Sequence, residues 1–554
     1  MLKQQLKQAD TENGRARLYA LENTVELTNL IPPTVSYESL GNALVVGPTS
    51  IIGSLASQLS DMTTVTLLST DGEKDEALSL YFTSKVAISG FLGSFQVLIQ
   101  NQCETINLSK VAINQEHFDV ILDMTLDGCM REEVPVPGYY PVGRGHPKLA
   151  DALEEIPTLK GTFDKPKFFR LNNDICAHSS RGLKGCERCV DACPAGALES
   201  IGTDKTGYKI EINPYLCQGV GTCATACPTE AIHYALPTPQ ETQKFIERTL
   251  ANYFKAGGVE PIILVCSKPH EQYNMMALQA LPENVIPIEV EDLPSIGIDT
   301  WFAALVNGAT QVMFAASQRM PETIIRVLTA EVAQAQTLLE QLSLNKSTIE
   351  ILYLESLRQG PPELITQDLG LRLGDMQGNK RERLFASLDA LAQQYPIDTP
   401  VTTLPEGAPF GEVKCDTDKC TLCMSCVAVC PTRALHHHDG DVPNLSFVEQ
   451  DCVQCGMCEK ACPENALSIQ ARFNWDQESR QAPQTLHQEQ PALCLRCQKP
   501  FAPQSMVNML QDKLRGHSHF SDETSLRRIA MCEDCRVIDM FESMADDPTQ
   551  QLKY

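Results

Sequence analysis

The sequence predicts a multidomain protein that combines two α/β domains with two small α+β modules and a C-terminal metal-binding block. The chain has 554 residues, more than a single hydrophobic core normally serves. Its 23 cysteines are concentrated in short C-x2-C runs, which indicate metal rather than disulfides in a chain without a recognisable signal peptide. Between these runs, segments rich in β-branched residues alternate with helical segments, as α/β domains require.

The first α/β domain is expected over residues 41–135. Its strand candidates are 43–47, 64–69, 85–89, 94–99 and 119–124. Residues 1–40 are predicted to form an exposed, partly helical N-terminal lead-in. The Pro- and Gly-rich stretch 135–147 is predicted to be a connector that leads towards the first cysteine cluster.

The second α/β domain is expected over residues 240–360. Its strand candidates are 261–266, 285–290, 311–316 and 348–354. A helix is predicted within 298–308, with Asp299 or Thr300 as its N-cap and Gly308 as its stop. The alternation of strands and helices predicts a mainly parallel sheet, of flavodoxin-like type.

A fourfold internal repeat defines the two small modules, which are expected over 165–237 and 411–472. Each repeat ends in Cys-Pro, two further residues, and Ala-Leu or Ala-Ile. The four endings are CPAGAL (193–198), CPTEAI (227–232), CPTRAL (430–435) and CPENAL (462–467). In dicluster ferredoxin folds, a C-x2-C-x2-C run holds three corners of an iron–sulfur cubane, and the cysteine before proline ligates the neighbouring cluster. The sequence therefore predicts two dicluster ferredoxin-like modules.

The second module carries the full run twice. One predicted [4Fe–4S] cluster uses Cys420, Cys423, Cys426 and Cys462, and the other uses Cys452, Cys455, Cys458 and Cys430. A zinc site needs only four cysteines and does not account for the paired Cys-Pro endings. Zinc is therefore disfavoured in this module.

The first module departs from the pattern at its first position, where Leu183 replaces a cysteine. Cys176, ten residues before Cys186, can take its place if the intervening residues loop out. The predicted [4Fe–4S] ligands are Cys176, Cys186, Cys189 and Cys227. His178, inside this loop, is interpreted as an ordinary loop histidine, although it could also donate a hydrogen bond to a sulfide or ligate iron.

A second departure puts Val220 where another cysteine is expected. Valine cannot ligate iron, and a cubane with three thiolates tends to lose its fourth iron. Cys193, Cys217 and Cys223 are therefore predicted to hold a [3Fe–4S] cluster. The alternatives are a labile or water-ligated [4Fe–4S] cluster and an empty site. The segment resembles the three-iron site in the iron–sulfur subunits of succinate dehydrogenase and fumarate reductase.

The C-terminal block, expected over 490–545, contains two further C-x2-C knuckles. Cys494, Cys497, Cys532 and Cys535 are predicted to form a tetrahedral zinc site of zinc-ribbon-like type, with rubredoxin-type iron as the alternative. The lone cysteines Cys103, Cys129 and Cys266 are predicted to be buried core residues. Cys415 could replace a lost ligand, but the set that begins at Cys420 is already complete.

Charge and missing motifs exclude several function classes. The formal net charge of −25 argues against nucleic-acid binding and fits docking on a basic partner. No apolar run is long enough to span a bilayer, so a cytoplasmic protein without its own anchor is expected. The segment 44–53 is only a weak nucleotide-binding candidate, because the middle glycine of G-x-G-x-x-G is absent. Catalysis by this chain alone is not predicted.

The whole chain resembles bacterial cytoplasmic four-cluster ferredoxin-type proteins, which are often encoded beside formate dehydrogenase subunits. The motifs that carry this resemblance lie at 90–97, 138–145, 175–197, 407–413, 452–464 and 531–540. The segment 256–316 also resembles the small delta subunit of methanogen hydrogenases, which docks electron partners, but only Cys266 remains of that family's cluster cysteines.

The resemblance and the motifs together imply a relay of single electrons to or within a cytoplasmic redox complex, with formate dehydrogenase as the first candidate partner. Three [4Fe–4S] clusters, one [3Fe–4S] cluster and one zinc ion are the expected cofactors. Two other functions remain open: an oxidoreductase subunit with its own flavin or nucleotide site, and an accessory or assembly protein whose clusters are structural.

Overall fold

A computed structural model describes residues 6, 9–25, 32–73, 78–101, 104–438, 440, 442–520 and 522–546. Cys103 lies outside these ranges. Within them, no helix combines the length and the apolar character that crossing a bilayer requires.

The N-terminal part of the chain forms one helix and the first α/β unit. Its elements are α1 (Glu12–Asn23), β1 (Thr34–Ser39), β2 (Asn42–Gly47), α2 (Thr49–Ile52), β3 (Thr64–Ser69), β4 (Leu80–Phe82), β5 (Val86–Ser89), β6 (Gln96–Asn101), β7 (Glu104–Asn107), α3 (Leu108–Ile113), β8 (Val120–Asp123), β9 (Tyr139–Tyr140), α4 (Leu149–Glu155) and β10 (Gly161–Pro166). A parallel sheet has the order β4-β3-β2-β8-β9. β5, β6 and β7 form a separate antiparallel sheet, so the candidates 85–89 and 94–99 do not join the parallel one.

The first unit extends beyond the predicted domain on both sides. β1 and β10 form an antiparallel pair that closes the unit from outside the range 41–135. β9 arises from the stretch predicted to be a connector, and it pairs parallel with β8. The hydroxyl of Tyr139 donates a hydrogen bond to the buried carboxylate of Asp123 at 2.5 Å. This buried bond makes the stretch part of the sheet.

The first cysteine module is a short α+β fold. Its elements are β11 (Phe169–Leu171), α5 (Arg188–Asp191), β12 (Leu198–Thr203), β13 (Gly207–Ile212), α6 (Thr222–Ala226) and β14 (Ile232–Tyr234). β11 pairs with β14 and β12 pairs with β13, both antiparallel. Each short helix starts within one of the two cysteine runs.

The second α/β unit contains the predicted parallel sheet. Its elements are α7 (Pro239–Lys255), β15 (Ile262–Ser267), α8 (Glu271–Ala280), β16 (Val285–Val290), α9 (Ile298–Val306), β17 (Gln311–Ala316), α10 (Glu322–Gln341), β18 (Ile349–Tyr353) and α11 (Lys380–Gln394). The strand order is β16-β15-β17-β18, with every neighbour parallel. Trp301 and Phe314 meet at 4.8 Å between ring centroids in its core.

Three expectations for this region are corrected. The N-cap of α9 is Gly297, and Asp299 lies within the first turn, where its carboxylate binds a buried arginine. The N-terminal helix α1 is not an exposed lead-in. Its Ala16 and Ala20 are fully buried, because α1 packs against α7 and completes the core of the second unit. The unit also continues past residue 360, since α11 packs on α9.

The last third of the chain forms the second cysteine module and the C-terminal block. Its elements are β19 (Val401–Thr403), β20 (Gly411–Cys415), α12 (Ser425–Val429), β21 (Leu435–His436), β22 (Asn444–Phe447), α13 (Met457–Ala461), β23 (Leu467–Asn474), α14 (Gln477–Gln481), β24 (Gln484–Gln488), β25 (Pro491–Leu493), β26 (Pro500–Pro503), α15 (Gln504–Leu514), α16 (Glu523–Ile529) and α17 (Glu533–Asp546). β24 adds to β22, so the module recruits a strand from beyond its predicted end at residue 472.

Candidate metal centres

The structure brings the cysteines of the two modules together in four groups, named here by their first members. Three of these groups each line a small cavity of their own. They are the Cys420 set (Cys420, Cys423, Cys426, Cys462), the Cys452 set (Cys452, Cys455, Cys458, Cys430) and the Cys193 set (Cys193, Cys217, Cys223). Each group takes the cysteine before proline from the other run of its module, which is the crossed arrangement that the spacing predicts.

The Cys176 set (Cys176, Cys186, Cys189, Cys227) forms the fourth group. The pKa of Cys189 is raised, chiefly by burial and to a smaller extent by the neighbouring thiols of Cys227, Cys186 and Cys176. The Cys186 N–H donates to the carbonyl oxygen of Ala177 at 3.4 Å, so the loop that begins at Cys176 folds back to Cys186 as the sequence requires.

The repeated Cys-Pro-x-x-Ala signature has a local structural reason. The backbone N–H of Ala197 donates to Sγ of Cys193 at 3.3 Å, and that of Ala466 donates to Sγ of Cys462 at 3.2 Å. Both alanines are buried, so a larger side chain would have no space. The amide four residues after the cysteine therefore stabilises negative charge on the sulfur.

These donor sets fit iron–sulfur clusters. All four consist only of cysteine thiols, the ligands that iron–sulfur clusters use. Burial raises the pKa of Cys223 well above its usual range, and burial also raises the pKa of Cys186. In such a buried site, a bound metal cation compensates the negative charge that appears when the thiol loses its proton. The Cys193 set also has the Lys165 amine nearby. Burial lowers the pKa of that amine to about 8, although Cys217 opposes the shift.

Val220 stands at the gap in the Cys193 set. It lines the same cavity as the three thiols, and its loop is flanked by Gly219 and Gly221, which have φ values of +77° and +94°. Its side chain also packs against the core of the second α/β unit. The position thus offers an apolar group where the other sets offer a fourth thiol.

His178 stabilises the loop of the Cys176 set through both ring nitrogens. Its Nδ1 accepts a hydrogen bond from the Gly185 N–H at 3.3 Å, and its Nε2 lies 2.9 Å from the Ser200 hydroxyl. With Nδ1 occupied as an acceptor, Nε2 carries the proton and donates to Ser200. The arrangement is that of the ordinary loop histidine that the sequence favours.

Two residues near the Cys420 set have no assigned role in the sequence patterns. The ligand atoms of Cys415, Cys420 and His487 lie within 4.8 Å of one another. A hydrogen bond from the Cys415 thiol, together with one from His487, outweighs burial and lowers the pKa of Cys420 to about 5. Cys415 precedes Cys420 closely enough to be noticed in the sequence. His487 reaches the site only because β24 joins β22, and no local pattern signals that pairing.

We expect Cys415→Ala and His487→Phe each to shift the reduction potential of the Cys420 site to a more negative value. Hydrogen bonds to a ligand sulfur stabilise the more reduced, more negative state, so their loss favours oxidation. EPR-monitored redox titration under anaerobic conditions measures the shift. Cys129→Ala, in the first α/β unit, is the control and should leave all potentials unchanged. Wild-type potentials in both variants would contradict the prediction.

The C-terminal cysteines form a fifth group. The ligand sulfurs of Cys494, Cys497, Cys532 and Cys535 lie within 4.8 Å of one another. The Cys532 N–H donates to Sγ of Cys494 at 3.3 Å. Burial raises the pKa of Cys494, but backbone N–H groups, including that of Cys532, outweigh it and lower the pKa to about 6. Four thiols, one of them readily ionised, suit tetrahedral zinc.

This block differs from a ribbon built of two hairpins. The first knuckle sits on the β25–β26 hairpin, whereas the second opens α17. The long interval between the knuckles is filled by α15 and α16, which pack against each other. The interval between the two knuckles is longer than in a usual zinc ribbon, and this pair of helices occupies it.

We expect Cys494→Ser and Cys532→Ser to release zinc and to loosen the C-terminal block, because metal binding provides the folding free energy of small sites with four cysteine ligands. Metal analysis and limited proteolysis measure the two effects. Visible absorbance from the other thiol sets should stay at the wild-type level. Cys266→Ser, on buried β15, serves as a control for the loss of a buried cysteine. A proportional loss of visible absorbance would assign iron–sulfur chemistry to this block.

Two of the three lone cysteines lie within the described residues, and they and the weak nucleotide candidate have ordinary structural surroundings. Cys266 is fully buried, and Cys129 is half-buried. After β2, the N–H of Thr49 donates to the Asp71 carboxylate at 2.9 Å. Hydrogen bonds, the largest from Ser69, lower the pKa of Asp71 to about 2. A carboxylate thus stands where segment 44–53 would have to bind a phosphate, which argues against a nucleotide there.

Comparisons with known proteins agree on the two cysteine modules. Residues 184–231 and residues 419–467 each match a family described as a 4Fe-4S dicluster domain. Ferredoxin-type protein NapF of Escherichia coli K12 is 30% identical over 88 residues, which are 16% of this chain and 53% of that protein. A subunit of an ion-translocating oxidoreductase complex of Methanosarcina acetivorans is 33% identical over 79 residues, 14% of this chain and 26% of that protein.

The chain therefore spans about half the length of the first of these relatives and less of the second. The two family matches contain most of the ligand cysteines of both modules and lie outside the two α/β units and the C-terminal block. On this evidence the chain carries two 4Fe-4S dicluster domains, which indicate that it binds iron–sulfur clusters.

Proposed function

We propose that the chain relays single electrons in a cytoplasmic redox complex, with three [4Fe–4S] clusters and one [3Fe–4S] cluster on its four thiol sets. The observation that carries the proposal is the grouping of fifteen cysteines into four buried sets within two dicluster modules. Iron–sulfur clusters supply reversible one-electron chemistry when bound. The Cys494 knuckle pair holds structural zinc.

The protein's own groups prepare these sites. The thiols provide ligands, buried apolar side chains exclude water, and the N–H groups of Ala197 and Ala466 point at ligand sulfurs. Val220 leaves the Cys193 set with three thiols, which supports the three-iron assignment. No further group of the described residues is placed as an acid, base or nucleophile in this proposal.

Formate dehydrogenase is the proposed partner. This choice of partner rests on the resemblance stated from the sequence, whereas relatives named as a ferredoxin-type protein and as a subunit of an oxidoreductase complex support a redox partner in general. The net charge of −25 favours docking on a basic surface, where long-range attraction raises the association rate at low ionic strength.

We expect a cytoplasmic formate dehydrogenase to reduce the protein rapidly, and the rate to fall as ionic strength rises because salt screens the attraction. Anaerobic stopped-flow bleaching of the visible absorbance, with and without the dehydrogenase over a salt series, measures this. The isolated chain should oxidise neither formate nor NADH. Turnover of either substrate by the chain alone would replace the relay with an enzyme.

One observation favours the second candidate, an oxidoreductase subunit with its own flavin or nucleotide. A cavity of about 520 Å³ lies between the first module and the second α/β unit, lined by Tyr234, Phe245, Ile288 and other apolar residues, with Lys268 and Glu291 at its polar side. The size and mixed lining suit a small aromatic ligand. Flavin or nucleotide released from the purified native protein by acid extraction would support this function.

A further inference from the structure

The two dicluster modules contact each other through their ligand loops. Arg181 belongs to the loop between Cys176 and Cys186 in the first module. Its Nη2 donates a hydrogen bond to the carbonyl oxygen of Cys430 at 3.0 Å, and its Nε contacts the same oxygen at 3.4 Å. Cys430 belongs to the Cys452 set. A side chain from one ligand loop therefore binds the backbone of a ligand in the other module.

A second contact brings the same two sets together. Any Cβ added to Gly185 would lie 2.7 Å from Sδ of Met457 and 2.5 Å from the carbonyl oxygen of Ala177. Gly185 immediately precedes Cys186, and Met457 stands between Cys455 and Cys458 in the sequence. Only glycine permits this approach, so the Cys186 loop packs directly on the Cys455 loop.

A third contact comes from the first residues of α11, which bind both modules at once. Nζ of Lys380 donates to the carbonyl oxygens of Thr225 at 2.6 Å and Cys227 at 3.1 Å, in the first module. The next residue, Arg381, donates from Nη2 to the carbonyl oxygens of Gln450 at 2.8 Å and Cys452 at 3.0 Å, in the second. Cys227 and Cys452 belong to the same two sets that Arg181 and Gly185 bring together.

The charges explain why three cations converge here. Sites with four thiolates carry net negative charge when filled, and two such sites repel each other at short distance in a medium of low dielectric constant. Arg181, Lys380 and Arg381 place positive charge at the backbone carbonyls of ligand residues in these two sets. Arg381 is also held against the rings of Phe385 and Phe410, with its guanidinium 5.2 Å and 5.0 Å from their centroids. The junction is thus held by hydrogen bonds from cationic side chains as well as by packing.

From these contacts we infer that the Cys176 and Cys452 sets form the inner pair of one four-site series, with Arg181, Lys380 and Arg381 as positioning residues of the junction. The Cys193 and Cys420 sets are then its two ends. The inference rests on the proposed relay for its purpose, but the arrangement can be tested without any partner.

The test compares EPR spectra of the fully reduced protein after removal of one or both sets of the second module. Cys423→Ser removes the Cys420 set, Cys455→Ser removes the Cys452 set, and the double variant leaves the first module alone. In Cys455→Ser, the spectrum should equal that of the double variant plus one unbroadened signal from the remaining Cys420 site. In Cys423→Ser, the spectrum should be broadened and should differ from the double-variant spectrum plus one unbroadened signal. The reason is that the remaining Cys452 site interacts magnetically with the Cys176 site.

Simple sums in both single variants would overturn the inference, as would broadening in Cys455→Ser alone. Iron analysis of each variant checks that only the intended site is lost. A further variant adds Arg181→Met and Arg381→Met to Cys423→Ser, and it should lose the inter-module broadening without further loss of iron. Unchanged broadening in this variant would show that Arg181 and Arg381 do not position the two modules.

Arg326→Met is the matched control, because Arg326 donates from its guanidinium to the Asp191 carbonyl oxygen at 3.0 Å in the first module only. It should leave the broadening intact, and loss of the broadening in this variant would show that the effect is not specific to the junction. Since no partner is present, failure of formate dehydrogenase to donate electrons would affect the relay proposal and not this result.

Discussion

A Val220→Cys variant is expected to lose the EPR signal of an oxidised three-iron cluster and to gain one iron at the Cys193 site. Val220 lines the same cavity as Cys193, Cys217 and Cys223, so a thiol there completes a four-cornered ligand set. The additional anionic ligand should also shift the reduction potential of the site to a more negative value, because it disfavours the addition of an electron.

EPR of the air-oxidised protein and iron analysis measure the conversion. Val220→Ala is the matched control, since it shortens the side chain without supplying a thiol and should keep the three-iron signal. Because Val220 also packs against the second α/β unit, both variants should lose about 1 kcal/mol of stability from reduced burial. A three-iron signal that persists in Val220→Cys would show that the residue does not face the bound cluster.

Arg383→Met is expected to destabilise the second α/β unit by about 3–5 kcal/mol. The Arg383 guanidinium is buried and lies 2.8 Å from the Asp299 carboxylate and 2.7 Å from that of Glu230. Burial by itself lowers the pKa of Arg383, but Asp299 and Glu230 outweigh it and raise the pKa, so the arginine stays charged. Removing the cation leaves the nearly inaccessible Asp299 carboxylate without its charge partner.

Urea unfolding under anaerobic conditions measures this loss, followed by tryptophan fluorescence in a Trp475→Phe background, in which Trp301 of α9 is the remaining tryptophan. Trp301 is fully buried in the affected unit, so its emission reports local unfolding. Arg372→Met is the matched control. Arg372 makes an exposed ion pair with Asp368 at 2.8 Å, which should contribute less than about 1 kcal/mol. Equal losses in the two variants would contradict a special role for burial.

A third variant separates the lost charge from the lost packing. Arg383→Met combined with Asp299→Asn removes the unpaired carboxylate charge while keeping a side chain of similar size. Stability should recover in part, because a buried neutral amide is less costly than a buried unpaired charge. A double variant as unstable as Arg383→Met alone would attribute the effect to packing.

Much of the architecture could be predicted from the sequence because its signals are local. The strands at 285–290 and 311–316 have the predicted bounds, since fully buried parallel strands are continuous apolar runs between turns. The two dicluster domains follow from cysteine spacing, because one short loop must wrap one cluster. The composition of each thiol set follows from the same spacing and stays a prediction until metal is measured.

Contacts between distant segments could not be predicted in this way. The pairing of β9 with β8, the burial of α1 and the approach of His487 to Cys420 all depend on how separate elements dock. Lys380 and Arg381 look like solvent-exposed charges at a helix start when only the sequence is considered. Periodicity and spacing describe neighbours along the chain. The junction between the modules is made by residues far apart in sequence, and packing alone selects those pairs.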